Sequence, residues 1–205
     1  FNISASGPVT DNDKSNHFEY DEHINAAYAN FSKELKRWSF QAGLRLESTA
    51  SNGHQLGNQV KPDSSFKRKY TNLFPTVYVN YKLDSNANNQ LAFSYGRRID
   101  RPYYQDLNPF IFPVDKFTFF AGNPFLQPQF SDNLELSYIF RNWLTTTLLY
   151  SRTSDLMYET IEQFNNTFIS RTGNIGSNVN IGVSVDASFK LAKWWTCNMY
   201  TELMN

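Results

Sequence analysis

The sequence predicts an all-β fold, an antiparallel up-and-down meander of about eight strands. Three observations lead to this prediction. Apolar and polar residues alternate with a period of two in one segment after another, short and long connections alternate along the chain, and every tryptophan lies beside a short connection. A period of two places successive side chains on opposite faces of a strand. Each strand therefore has one apolar face and one polar face.

The alternation is well developed in residues 38–50, WSFQAGLRLESTA, where Trp38, Phe40 and Leu44 alternate with polar residues. In the strand before it, Ile24, Ala26 and Tyr28 share a face. No segment has the pattern and caps of an amphipathic helix. The predicted strands cover residues about 20–32, 38–50, 70–83, 90–98, 131–141, 143–153, 178–190 and 194 to the end.

The connections between these strands alternate in length. The short ones are KELKR (33–37), DSNANN (84–89), RN (141–142) and LAK (191–193), and the long ones cover residues about 51–69, 99–130 and 154–177. An up-and-down barrel in the outer membrane has short turns at one end and long loops at the other, whereas a soluble sandwich has no reason to keep that order.

The composition favours a membrane position for the apolar face. Aromatic residues make up 17% of the chain, yet the mean hydropathy is −0.52. No run approaches the roughly 20 apolar residues of a membrane helix, so a membrane span must be made of strands. Tryptophan, tyrosine and phenylalanine near the short turns predict an aromatic girdle at one membrane interface. Its members are Trp38, Tyr81, Phe140, Trp143, Trp194 and Trp195.

The opposite face of the predicted strands carries charges. Its polar residues are expected to face a wet lumen, and the charged ones are Arg45, Glu47, Lys82, Glu135 and Asp186. A soluble β-sandwich or adhesin-like binding module, whose apolar faces would form a core, remains an alternative.

Two sequence motifs resemble one family. SYGRRIDRPYYQDLNPF (94–110), followed by GNPFLQPQFSDNLELSY (122–138), closely resembles the C-terminal barrel portion of TonB-dependent receptors of the Bacteroidota outer-membrane β-barrel type. The hairpin INAAYANFSKELKRWSFQAGLRLEST (24–49) resembles the same family. The resemblance covers residues about 20–200.

This resemblance implies a larger protein and a transport function. Such receptors have about 22 strands, an N-terminal plug and a TonB box, and they import large nutrients across the outer membrane of Gram-negative bacteria. Residues 1–205 would form part of such a barrel, without plug or TonB box. The implied partners are outer-membrane lipid, the remainder of the barrel and its plug, the TonB complex and a surface lipoprotein. A plug-less passive or assembly barrel is a further alternative.

The loop of residues 99–130 holds the candidate ligand contacts. It contains five prolines and many aromatic residues, which predict a structured loop. The charged residues could instead pair within the loop and hold its shape, and the aromatic ones could pack it. The candidates are Arg98, Asp100, Arg101, Tyr103, Tyr104 and Asp106.

Several classes of function lack support in the sequence. The formal net charge is zero, so no basic surface indicates a nucleic-acid partner. The single cysteine, Cys197, excludes an intrachain disulfide. His17, His23 and His54 show no metal-ligand spacing, and residues 11–22 lack the glycine of a calcium loop. No catalytic motif is present, so we expect neither an enzyme, nor a metal, nor a cofactor.

Overall fold

The computed structural model describes residues 2–4, 7–9 and 11–205, with side chains from residue 11 onward. Its strands are β1 (Asn2–Ser4), β2 (Gly7–Val9), β3 (Phe18–Glu34), β4 (Trp38–Gln55), β5 (Ser64–Lys82), β6 (Asn89–Asp100), β7 (Ile111–Pro113), β8 (Thr118–Ala121), β9 (Gln129–Phe140), β10 (Leu144–Ser154), β11 (Met157–Phe164), β12 (Thr167–Asn174), β13 (Ser177–Ala192) and β14 (Trp195–Met204). A 3₁₀ helix spans Tyr104–Leu107. Within the described ranges, no helix has the length and hydrophobicity to cross a membrane.

Eight of these strands form one antiparallel sheet. Their order in the sheet is β14-β13-β10-β9-β6-β5-β4-β3, so strands that follow one another along the chain are neighbours. The predicted all-β meander of eight strands is thereby confirmed. β3 and β14 form the two edges of the sheet.

The two ends of the sheet differ in their connections. At the turn end, residues 35–37, 83–88, 141–143 and 193–194 join the strands of each hairpin. At the loop end, the connections are longer, and two of the three contain further structure. The alternation of short and long connections is the one that the sequence predicts.

The strand register brings the apolar residues onto one face, which we call the apolar face. Directly opposed residues of an antiparallel pair lie on the same side of a sheet. Leu44 opposes Pro75, and Val183 opposes Leu148 and Leu203 on its two neighbours. These side chains stay exposed: 53% of Leu148 and 73% of Leu203 are accessible. No second sheet covers them in residues 11–205, so the sandwich alternative finds no support.

Ile24, Ala26 and Tyr28 share one face of β3, as the sequence predicts, but that face is not the apolar face of the sheet. Tyr28 opposes Arg45 and Ile24 opposes Thr49, so these residues lie with the polar set of β4. The apolar face of β3 is instead formed by Ala27, Ala29 and Phe31, because Ala27 opposes Leu46, Ala29 opposes Leu44 and Phe31 opposes Ala42. Both alternating sets of this strand contain apolar residues, so pairing with β4 decides the face.

The predicted loop of residues 51–69 is mostly strand. β4 and β5 stay paired as far as Gln55 and Ser64, so the connection is only residues 56–63. Polar residues occupy both faces of this part of the hairpin, including Asn52 opposite Lys67. A strand that is polar on both faces has no hydrophobic alternation, and the sequence pattern therefore predicts a loop there.

The other two long loops form a shared four-stranded sheet in the order β11-β12-β8-β7. β7 and β8 belong to residues 99–130, and β11 and β12 form a hairpin within residues 154–177. The link between the two loops is a parallel pairing of Phe168–Ser170 with Thr118–Phe120. The long loops are therefore one ordered unit at the loop end.

Candidate functional site at the loop end

The loop unit has a small hydrophobic core of its own. Pro109 and Pro124 restrict the backbone on either side of it. Leu107 of the 3₁₀ helix belongs to this core, and so does Leu126, which follows β8. The buried apolar residues are Leu107, Phe110, Ala121 and Leu126. Burial of aliphatic and aromatic side chains stabilises such a unit by about 25 cal/mol per Å² of apolar surface removed from water.

The two sequence motifs of the loop meet in this core. The backbone N–H of Asn123 donates to the carbonyl of Asp106, and its side-chain amide donates to the carbonyl of Thr172 at 3.2 Å. Its side-chain oxygen accepts the backbone N–H of Phe125 at 3.0 Å. A Cβ at Gly122 would collide with the Asn108 carbonyl oxygen. Glycine allows the two backbone segments to approach this closely.

Arg68 of β5 attaches the loop unit to the large sheet. Its guanidinium donates to the backbone carbonyls of Pro124 and Leu126. The same guanidinium lies over the ring of Phe66, with Cζ 5.4 Å from the ring centroid. The planar fork of arginine suits two neighbouring acceptors. Arg68 was not among the residues singled out from the sequence, since nothing local indicates its partners 56 and 58 residues away.

Arg101 makes a second attachment. Its Nη2 lies 2.6 Å from Glu47 Oε2 and 3.3 Å from Thr49 Oγ1, both on β4. Glu47 also pairs with Arg45, whose Nε is 3.1 Å from Oε1. Glu47 and Thr49 are buried. A buried carboxylate between two guanidinium groups is stable only while both remain in place, so Arg101 holds the start of the loop over the polar face of the sheet.

The other candidate ligand contacts differ in their surroundings. Tyr103 and Tyr104 are 78% and 55% exposed. Arg98 is exposed on β6 and borders two grooves of the polar face. Asp100 accepts a hydrogen bond of 3.1 Å from Gln129.

Asp106 lies half-buried beside the loop core. Burial raises the pKa of its carboxyl, and the negative charge of Glu159 raises it further. The pKa of Asp106 is thus held above the ordinary value of an aspartate.

The five charged residues predicted to face a lumen share one side of the sheet, which we call the polar face. The strand register places all five on the side of the sheet that faces away from the apolar face: Arg45, Glu47, Lys82, Glu135 and Asp186. Glu135 accepts a hydrogen bond from Ser94 at 3.3 Å. A groove of about 720 Å³ crosses this face and is bordered by Gly43, Thr76 and Glu135.

The six aromatic residues of the predicted girdle all lie at the turn end. Trp38 is 4.3 Å from Tyr81 between ring centroids, and Trp143 is 5.8 Å from Phe140. Trp194 and Trp195 are neighbours at 6.1 Å. The rings thus form three clusters, the first of which lies beside two neighbouring short turns.

The acidic and histidine side chains of the described residues do not gather into a metal site. In residues 11–205, no group of three or more His, Cys, Asp or Glu side chains is arranged to hold a metal ion. His17 pairs with Glu19 at 3.3 Å, and both side chains are exposed.

Comparison with known proteins identifies the architecture. A sequence model of the outer membrane protein beta-barrel family matches residues 1–205. Among curated protein sequences, none matches this chain.

Three solved structures illustrate the likeness of fold. The hemophore receptor HasR of Serratia marcescens is 15% identical, with a TM-score of 0.71, and the match covers 90% of this chain and 34% of that one. The siderophore receptor PiuA of Acinetobacter baumannii is 13% identical, with a TM-score of 0.60 and coverages of 92% and 26%. The siderophore receptor PirA of Pseudomonas aeruginosa is 13% identical, with a TM-score of 0.60 and coverages of 92% and 44%.

The chain therefore spans less than half the length of these receptors. The matched family and the exposed apolar face of its sheet place it in the outer membrane of a Gram-negative bacterium. The chain belongs to the outer membrane protein beta-barrel family.

Proposed function

We propose that this chain forms barrel wall and outer loops of a TonB-dependent receptor that imports a nutrient. The observation that carries the proposal is the ordered loop unit, which Arg68 and Arg101 attach to the polar face of an outer-membrane sheet. A passive pore needs only a wall, whereas a receptor needs a fixed surface on which a ligand is captured. The similar folds of siderophore and hemophore receptors support the same proposal.

Within the loop unit, we assign different roles to the candidate residues. Tyr103 and Tyr104 would contact ligand, because their rings are exposed and a flat aromatic surface binds sugars, chelates and other rings. Arg98 would contact ligand that reaches the grooves of the polar face. Arg101 and Asp100 would mainly hold the loop, since both already have partners on the sheet. Asp106 would contribute a half-buried carboxyl at the edge of the site.

The polar face would line the lumen and contact a plug supplied by another part of the protein. Charged and hydrogen-bonding side chains suit a wet interior or a polar plug surface. The remaining barrel strands would pair with β3 and β14, whose outer edges are otherwise sites of aggregation. The TonB complex would act through the plug, and a surface lipoprotein would cover the loop end.

The test uses the full-length protein in a strain that lacks its own copy. We expect growth on one nutrient of a panel of iron chelates, haem, cobalamin, oligosaccharides and peptides to depend on the protein and on TonB. Tyr103→Ala with Tyr104→Ala should lower uptake at limiting nutrient by about tenfold, since loss of a stacked ring costs about 1–3 kcal/mol.

The matched control is Tyr103→Phe with Tyr104→Phe, which keeps both rings and should retain most of the uptake. Uptake that persists without TonB would instead identify a plug-less passive barrel. Equal uptake by the alanine and phenylalanine variants would remove the two tyrosines from the ligand site.

A further inference from the structure

The turn end of the sheet is strongly basic, although the whole chain has no net charge. The four turns with the residues that flank them contain seven Lys or Arg against two Asp or Glu. The remaining residues therefore carry an excess of five negative charges, since the chain has 19 of each sign. The basic residues are Lys33, Lys36, Arg37, Lys82, Arg141, Lys190 and Lys193, and the acidic ones are Glu34 and Asp84.

These basic side chains have no acidic partner within residues 11–205. All seven are exposed. Among residues 11–205, none of them lies within 4 Å of a carboxylate oxygen. By contrast, the Asp84 carboxylate is hydrogen-bonded within its own turn, where it accepts the backbone N–H groups of Asn86, Asn88 and Asn89. The positive charge at this end is therefore available to a partner outside the chain.

Five of the seven basic residues lie beside the aromatic girdle, and Lys82 and Lys190 lie on the polar face. Lys33 opposes Phe40 on the apolar face, and the guanidinium of Arg141 lies 5.3 Å from the ring centroid of Phe140. Lys193 precedes Trp194 directly. Aromatic rings at a membrane interface sit at the depth of the lipid head groups, and long basic side chains reach the same depth.

Backbone hydrogen bonds hold the turns in fixed positions relative to one another. Lys82 donates to the carbonyl of Arg37 at 2.8 Å, and Arg141 donates to the carbonyl of Asn88 at 2.6 Å. Each bond joins the turn of one hairpin to the next hairpin. The charges of neighbouring turns are thus kept in a row along the sheet, rather than on independent flexible loops.

We propose that the turn end binds the phosphate groups of anionic phospholipids in the membrane leaflet that it faces. This inference rests on the proposed function, in which the sheet is part of the wall of an outer-membrane barrel. The positive charges beside the girdle lie at head-group depth, and a phosphodiester that carries a net negative charge is their chemical complement. Lys82 and Lys190 lie on the polar face and are not part of this lipid site. Short turns of outer-membrane barrels face the periplasm, so the lipid concerned belongs to the inner leaflet of the outer membrane.

The experiment compares quenching of tryptophan fluorescence by two brominated lipids. The full-length protein is reconstituted in phosphatidylethanolamine vesicles that contain the same fraction of brominated phosphatidylglycerol or brominated phosphatidylethanolamine. Every tryptophan of this chain is at the turn end, and a variant with all four replaced by phenylalanine provides the background. We expect brominated phosphatidylglycerol to quench the tryptophans about threefold more than brominated phosphatidylethanolamine does. The reason is that an anionic surface strengthens binding by about fivefold for each basic residue near it.

Charge variants locate the source of the preference. A variant that combines four substitutions in the turns should be quenched equally by the two lipids: Lys36→Gln, Arg37→Gln, Arg141→Gln and Lys193→Gln. The matched control should still be quenched more strongly by brominated phosphatidylglycerol. It removes four positive charges outside the turn end, in a variant that combines Lys61→Gln, Lys67→Gln, Lys69→Gln and Lys116→Gln. The preference should also shrink in 0.5 M salt because screening weakens exposed charges.

The possible results separate the inference from the function on which it rests. Equal quenching of the unmodified protein by both lipids would overturn the lipid preference and leave the girdle intact. Loss of the preference in the control variant would also overturn it, because net charge rather than the turn end would then be responsible. Absence of quenching by either lipid would contradict the girdle itself.

Discussion

Replacement of Val183 by arginine is expected to destabilise the folded protein in a bilayer by about 2–4 kcal/mol, the cost of arginine near the membrane midplane on a barrel surface. Val183 lies in the middle of the apolar stretch of β13 and opposes Leu148 and Leu203. The free energy of unfolding is measured by guanidinium titration of the full-length protein in vesicles, with the gel mobility of the folded form as the readout.

The matched control is Ser184→Arg, one residue further along the same strand. Ser184 lies on the polar face opposite Thr147 and Glu202. An arginine there meets water and a carboxylate, so we expect a change below about 1 kcal/mol. Equal destabilisation by the two variants would show that the two faces do not differ in their surroundings.

Gly122→Ala is expected to release the loop unit while the large sheet stays folded. The added Cβ collides with the backbone of Asn108, which cannot move aside as a flexible side chain would. Overpacking of a well-packed site typically costs about 1–3 kcal/mol. Hydrogen exchange of the backbone amides should accelerate about tenfold or more at Asn123 and Leu126, which are hydrogen-bonded in the loop unit.

Gly173→Ala is the matched control, because a Cβ at this position of β12 meets no atom within 4 Å. Exchange in β13 should stay slow in both variants. Unchanged exchange at Asn123 in Gly122→Ala would contradict the packing described for the two loop motifs.

The sequence was sufficient to predict those strands in which only one of the two alternating sets is apolar. β13 is the clearest case, since Val179 and Ile181 alternate with Asn178 and Asn180. β3 fails this condition: Ala27 and Ala29 are apolar, and so are Ile24 and Ala26. Its face is set by hydrogen bonding to β4, which local alternation does not report.

The loop unit could be predicted only as an ordered segment. Prolines and aromatic residues indicated order, but the pairing of β8 with β12 joins residues about 50 positions apart and leaves no periodic signal. The same holds for Arg101 and Glu47, which are 54 residues apart. Both residues were singled out from the sequence, one for the loop and one for the polar face, yet their ion pair becomes apparent only in three dimensions.

The depth at which lipid quenches the four tryptophans of this chain decides whether the apolar face of the sheet meets lipid. The full-length protein is placed in vesicles whose lipids carry bromine at successive positions along the acyl chain, and the fluorescence of a variant with Trp38, Trp143, Trp194 and Trp195 replaced by phenylalanine is subtracted. We predict the strongest quenching by bromine nearest the head group, because the girdle lies at the turn end of a membrane-spanning sheet. Tryptophans that are not quenched at any depth would show that the apolar face is turned away from lipid.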